Sequence, residues 1–235
     1  MNVLFNLSSK GYNFQMIKKR QNWNTKRLKL ANKVGKKYIV GIDEVGRGPL
    51  AGPITFCAFL SSVDVLLKYS KDKRFVPGGN DSKKLKAKDR EMWRDEIEEL
   101  AKENKWRWSL THGTNKDIDR KGLAVVIKKC LESALTDLKI KSSECHVLLD
   151  GGLHIDKKYC QETIIKGDEK ELAIALASIL AKVERDNLMI RLAQKYPKYS
   201  FDKHKGYGTK THCEAIKKHG PCSIHRKSFI RKLVS

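Results

Sequence analysis

Residues 38–60 read YIVGIDEVGRGPLAGPITFCAFL. The first six (38–43) form a short β-rich run and the last seven (54–60) form another, joined by a Gly/Pro-rich connection. A third run is expected near residues 107–111 (RWSLT) and a fourth at 146–150 (HVLLD), continuous and apolar as in a buried strand. Helical patterns separate them. Residues 86–103 carry Met92, Trp93, Ile97 and Leu100 at helical spacing. Residues 115–138 are expected as one helix, with Thr114 and Asp117 as a capping pair, and 169–194 as another, with Asp168 as N-cap and Glu171 at the capping-box position. Strands alternating with helices predict an α/β domain on a central sheet. There are no internal repeats, and the breaker-rich stretch Pro77-Gly78-Gly79-Asn80 is expected as a surface loop.

At 235 residues, 40% of them hydrophobic, the chain is long enough for one good core. No run of about 18 apolar residues predicts a membrane span, and the interrupted N-terminus does not read as a secretory signal. The six cysteines are scattered without a C-x-x-C pair, so reduced thiols and a cytoplasmic protein are expected. The tail gathers His212, Cys213, His219, Cys222 and His225, but at spacings that fit no standard zinc pattern. Charge is more telling. The net is +22, with ten Lys/Arg and no acid in residues 1–37, and eleven against two acids in 195–235. The stretch between holds 28 basic and 25 acidic residues, only +3. Basic ends around a nearly neutral centre suit a polyanionic partner, because Lys/Arg contacts to phosphates release counterions. Residues 1–37 read as a basic N-terminal extension, partly helical from about Asn24, and 38–235 as the main domain, with a helical segment from about 195.

Asp43-Glu44 close the first strand and are followed by Gly46-Arg47-Gly48-Pro49. Neighbours on a strand point to opposite faces, so both acids reach one site only if the chain turns there. Asp150 closes the fourth strand and is followed by Gly151-Gly152. Ligands of α/β sheets gather at such carboxyl ends. The helix 169–194 is apolar nearly all round, which places it in the core. Ser178, Lys182 and Asp186 interrupt it at i, i+4 and i+8 on one stripe. Asp43, Glu44, Asp150 and Asp186 are thus the candidates for one carboxylate cluster. Clustered like charges call for a cation, and hard oxygen ligands select Mg²⁺ or Mn²⁺. Beside a phosphate-binding surface this suits two-metal phosphodiester cleavage: one ion activates water, the other stabilises the leaving 3′ oxygen. Nucleotide-cofactor folds fit less well, since neither G-x-G-x-x-G nor G-x-x-x-x-G-K-[ST] occurs.

The run of residues 41–53 (GIDEVGRGPLAGP) also resembles the signature of bacterial ribonuclease HII. Further matches follow in family order: residues 80–85 (NDSKKL), Asp150-Gly151, Lys166-Gly167-Asp168 with Lys170, residues 177–183 (ASILAKV) with Arg185-Asp186, residues 204–209 (HKGYGT) and residues 225–229 (HRKSF). The similarity spans roughly residues 38–230. It implies a ribonuclease H-like fold with a mixed sheet, flanking helices and a C-terminal helical segment. It implies cleavage of the RNA strand of RNA–DNA hybrids and nicking at ribonucleotides embedded in DNA, leaving 5′-phosphate and 3′-hydroxyl ends. Asp43, Glu44, Asp150 and Asp186 would be the catalytic, metal-binding carboxylates. The backbone of Gly46-Arg47-Gly48 and the side chain of Tyr207 would read the 2′-hydroxyl, the group that separates ribose from deoxyribose. Ser178, Lys182 and Lys205 would contact nucleic acid, the first two near the scissile phosphate.

Two positions depart from the family pattern. Gly152 stands where an Asn is common, and Lys121 or Gly122 replaces an Asn in the helix near Ile118-Asp119. The 37-residue basic extension is longer than the family leads one to expect. A related exonuclease or resolvase would share the acids without the Gly-Arg-Gly and Lys-Gly-Tyr pieces; a non-catalytic binding protein would need no metal. No coiled-coil or dimer stripe is evident, so a monomer is expected.

Overall fold

The computed structural model describes residues 23–72, 75 and 85–234. The loop expected at residues 77–80 and most of the 80–85 motif lie outside them. Among the described residues the strands are β1 (Tyr38–Val45), β2 (Ile54–Ser62), β3 (Arg107–Gly113), β4 (Cys145–Asp150) and β5 (Cys160–Ile164). The helices are α1 (Lys26–Lys33), α2 (Val63–Lys71), α3 (Ala87–Asn104), α4 (Asn115–Lys121), α5 (Leu123–Asp137), α6 (Leu172–Lys195), α7 (Phe201–His204), α8 (Lys210–His219) and α9 (Lys227–Val234).

The sheet runs β3-β2-β1-β4-β5. β1 pairs antiparallel with β2 and parallel with β4, β2 antiparallel with β3, and β4 parallel with β5. The sheet is therefore mixed. The continuous apolar runs have a cause visible in three dimensions, since both faces are covered. Ile39, Val45, Cys57, Phe59 and Leu148 pack with α6. Val40, Ile42, Phe56, Ala58, Val147 and Leu149 pack with α5 on the other face. A third cluster of Ala51, Met189, Tyr199, Phe201, Ile216 and Ile230 forms the C-terminal lobe.

α6 lies closer to the sheet than a side chain on β1 would allow. A Cβ on Gly41 would stand 2.2 Å from the Ala173 carbonyl carbon, and one on Gly46 would stand 2.1 Å from Arg185 Nε. These contacts fix the helix alongside β1. From Ala173 to Arg185 α6 advances about 18 Å, at 1.5 Å per residue. From Gly41 to Gly46 the strand path advances about 16 Å. The two run side by side.

Three expectations change. The helix expected over 115–138 breaks into α4 and α5 at Gly122, whose φ of +81° ends the first while the chain re-enters the second. The Thr114 cap holds, its hydroxyl accepting from the Asp117 amide. Asp168 is not the N-cap of α6. It sits in a 3₁₀ turn, Gly167–Glu169, and Glu171 takes the cap position. α2 and β5 are additional elements; β5 is a polar edge strand without the apolar run that betrays its neighbours. The described part of the basic extension packs inward: Trp23, Leu28 and Ala31 are buried in the α6-side core, and Trp23 Nε1 donates to the Phe75 carbonyl.

Candidate active site

Pleating sorts the strand-end acids. Ile39, Gly41 and Asp43 share the α6 face of β1, and on β4 Leu148 places Asp150 on that same face. Ile42 and Leu149 are the last registered pair, so Asp43 and Asp150 stand one residue further on neighbouring parallel strands, about 4.8 Å apart in backbone spacing. Asp43 is 2% exposed. Its Oδ1 accepts from the Glu44 amide at 2.7 Å. Asp150 Oδ1 accepts from the Gly167 amide at 2.6 Å. Glu44 lies on the opposite face, with Arg47 Nη1 3.4 Å from its Oε1. β1 continues to Val45, so the turn that would bring both acids together comes later, at Gly46 with φ +91°.

Asp186 is placed elsewhere. It lies two helical turns past Ser178, about 12 Å along α6. Its carboxylate receives Lys182 Nζ at 2.8 Å and Arg90 Nη2 of α3 at 3.2 Å. Burial lowers the Lys182 pKa, and Asp186 partly restores it. With Lys205 and Tyr207, these three residues line a cleft of about 410 Å³. Lys205 Nζ is turned back onto the Asp202 carbonyl. Ser178 is buried on α6.

A further acid lies close to the strand ends, in the 3₁₀ turn Gly167–Glu169. Asp168 is 7% exposed. It follows directly on Gly167, the residue whose amide holds Asp150. The sequence signal was there: Lys166-Gly167-Asp168 precedes a helix too apolar to need a charged cap. Among the described residues no three Asp, Glu, His or Cys side chains are already closed into a cage. The donor chemistry of the strand-end carboxylates suits Mg²⁺ or Mn²⁺.

The Gly46–Pro53 connection is shaped from behind by two buried arginines. Arg226 donates to the carbonyls of Gly46 (2.6 Å), Arg47 (2.8 Å) and Gly52 (3.0 Å). Arg185 donates to Pro53, Lys205 and Ala51 carbonyls. In a trans peptide the C=O and the following N–H point opposite ways. Drawing the Gly46 and Arg47 carbonyls inward therefore turns the Arg47 and Gly48 amides outward. Burial, then neighbouring Arg185, brings the Arg226 pKa down to about 10. The C-terminal segment is tied to the same loop, with Leu50 N donating to Gly206 O and Arg226 N to Leu50 O. Tyr207, 41% exposed, is thereby set beside it.

Behind Tyr207 the tail histidines are joined in a hydrogen-bonded relay. Cys222 N donates to His225 Nδ1 at 2.9 Å. His225 Nε2 and His212 Nε2 stand 3.1 Å apart, and His212 Nδ1 meets the Tyr207 carbonyl at 2.9 Å. All three contacts are satisfied only if both rings are neutral, His225 carrying its proton on Nε2 and His212 on Nδ1. Burial lowers the His212 pKa to about 4, and the pKa values of His204 and His225 fall for the same first reason. A histidine with a depressed folded-state pKa contributes stability above its unfolded value near 6.5 and loses it as pH falls. For His212 the window is pH 6.5 to 4, worth roughly 3 kcal/mol when complete. Glu171 works oppositely, since burial raises it to about 7; its contribution improves as pH falls from 7 to 4.5. The His212 effect is therefore read from the difference between wild type and His212→Asn. The wild-type melting temperature should fall more steeply between pH 6.5 and 4; parallel curves would remove the relay from the acid response.

The mixed sheet with acids at adjacent parallel-strand ends and a buried helix laid across them defines a ribonuclease H-like protein. The ribonuclease HII family model matches residues 40–232. Ribonuclease HII of Clostridium beijerinckii is 43% identical over 198 residues, covering 84% of this chain and 69% of the relative. That of Caldicellulosiruptor bescii is 42% identical over 207 residues, 88% and 93% of the two chains. Among solved structures, ribonuclease HII of Archaeoglobus fulgidus, solved in complex with PCNA, superposes with TM-score 0.63 at 26% identity over 84% of this chain and 95% of that one. Bst ribonuclease HIII in complex with Mn²⁺ shares the fold, with TM-score 0.56 at 18% identity over 81% and 65%. This chain belongs to the ribonuclease HII family, endonucleases that hydrolyse the RNA strand of RNA–DNA hybrids. Among the described residues no helix is long and apolar enough to cross a membrane.

Proposed function

We propose that this enzyme nicks DNA duplexes on the 5′ side of an embedded ribonucleotide as well as cutting hybrids, leaving 5′-phosphate and 3′-hydroxyl ends for ribonucleotide excision repair and replication. The observation that carries the reading is the pairing of two features: Asp43 and Asp150 side by side on one face, and outward amides at Arg47 and Gly48 held by Arg226 four and five residues beyond Asp43. Asp43 and Asp150 would hold Mg²⁺ or Mn²⁺, with Asp168 as the fourth carboxylate in place of Asp186; Glu44, on the other face of β1, would join them by swinging its side chain around the strand end. Bound divalent cations supply the activation of water and the neutralisation of the leaving oxygen. The amides of residues 46–48 and the Tyr207 hydroxyl recognise the 2′-hydroxyl. Gly46 is needed there for its positive φ and its contact with Arg185. Lys182 and Ser178 flank the scissile phosphate, and Asp186 fixes Lys182. The basic ends hold the duplex through its phosphates.

The test is a labelled DNA duplex containing one ribonucleotide, incubated with Mg²⁺, Mn²⁺ or EDTA beside an all-DNA duplex and a long hybrid. A metal-dependent nick 5′ of the ribonucleotide, absent in all-DNA, is expected. Tight binding with no cleavage of either ribose-containing substrate would leave a basic binding protein. Degradation only from free ends would indicate an exonuclease.

A further inference from the structure

The geometry points to Arg27, in the basic stretch before β1, as a positioning residue for the acid turn between β5 and α6. This inference rests on the proposed placement of the cations at Asp43, Asp150 and Asp168. Arg27 spans two elements. Its Nη2 reaches Glu162 of β5 at 2.5 Å, and its Nη1 reaches Glu171 at 2.8 Å. Glu171 is 1% exposed. A carboxylate so buried is costly without a partner, and the arginine fork supplies one.

Glu171 is in turn joined to the site by a short chain of contacts. Its amide donates to the Gly167 carbonyl at 2.8 Å, as does the Lys170 amide at 3.0 Å. The Gly167 amide donates to Asp150 Oδ1. Asp168 sits inside that loop of hydrogen bonds. A second tie comes from the same segment, for Asn24 N donates to the Lys170 carbonyl at 3.0 Å. α1 is anchored beneath by Leu28 and Ala31, so Arg27 projects from a fixed base. Nothing in phosphate binding would require this arrangement. Lys29 and Lys33, on the same helix, remain exposed; Arg27 alone among these three turns inward onto two acids.

Outer partners that orient metal-binding carboxylates typically affect metal affinity by 10–100-fold. The test is Mn²⁺ titration of the full chain by calorimetry without nucleic acid, for wild type, Arg27→Gln, Arg27→Lys and Lys29→Gln, with duplex binding measured in EDTA. Arg27→Gln should weaken Mn²⁺ binding by about 10-fold or more. Arg27→Lys, which reaches only one of the two acids, should fall between. Lys29→Gln, which removes the same charge from the same helix, should bind Mn²⁺ as wild type does. Duplex affinity in EDTA should fall equally little in Arg27→Gln and Lys29→Gln. If Arg27→Gln does not fold, the double variant Arg27→Gln/Glu171→Gln removes both buried charges and should show the same loss. Wild-type Mn²⁺ affinity in whichever variant folds, even with a lowered melting temperature, would overturn the positioning role. Absence of Mn²⁺ binding by the wild type would instead overturn the proposed function on which it rests.

Discussion

Asp43→Asn is expected to reduce cleavage at an embedded ribonucleotide by about 10³-fold or more, which corresponds to roughly 4 kcal/mol of transition-state stabilisation. Asparagine keeps the shape of the side chain and an oxygen for the Glu44 amide, so the strand end should survive. What it removes is the charge, at a position 2% exposed and abreast of Asp150. Without metal, the variant should melt no lower than wild type, because one of two neighbouring like charges is gone. With millimolar Mn²⁺, wild type should gain melting temperature by mass action and the variant should not. Near-normal cleavage in Asp43→Asn would exclude this carboxylate from the reaction. An equal metal-induced rise in both proteins would exclude it from the metal site.

Asp168→Asn and Asp186→Asn should separate in the opposite sense from their helix assignments in the sequence. Asp168→Asn should cost cleavage about 10²–10³-fold, of the order seen when one electrostatic contact to the reacting centre is lost, with little change in melting temperature. Asp186→Asn leaves Lys182 and Arg90 facing each other without their shared acid. It should destabilise the fold by about 3 kcal/mol, as a broken half-buried pair does. Its cleavage should fall less than about tenfold once folded protein is compared, since the effect on catalysis passes through Lys182 alone. The decisive measurement is cleavage rate and melting temperature on the same preparations. A 10²-fold catalytic loss in Asp186→Asn at unchanged stability, with Asp168→Asn active, would return the fourth carboxylate to α6.

Local sequence and tertiary structure divided this protein along a clear line. Apolar runs told where β1 and β4 lie and where β4 stops, because a strand buried on both faces has no alternative to continuous hydrophobicity; β1 runs two residues past the expected end at Asp43, to Val45. The all-round apolar face of α6 told that it is buried, and the ordered motifs told the family. The break at Gly122 was less legible, because the apolar spacing continues through it on both sides. An acid one turn before a helix has the same local pattern whether or not it caps the helix; the 3₁₀ turn at Gly167–Glu169, which leaves the cap position to Glu171, is set by tertiary contacts such as Gly167 to Asp150. The stripe of Ser178, Lys182 and Asp186 gives a direction on a buried helix but no height along the sheet. That height depends on tertiary contacts such as Gly41, which lets the α6 backbone at Ala173 approach β1.

Charge shows the same division. The sequence determined how many cations the chain has and that they gather at its ends, and so the kind of partner it suits. It could not tell that Arg226 and Arg185 are buried behind the Gly46–Pro53 loop, holding backbone carbonyls, or that Arg27 is turned onto Glu162 and Glu171. An arginine contributes +1 to a composition wherever it lies. Whether that charge meets a phosphate, a carbonyl or a buried carboxylate depends on partners 132 to 180 residues away in the chain, and only the folded structure brings them within hydrogen-bonding distance.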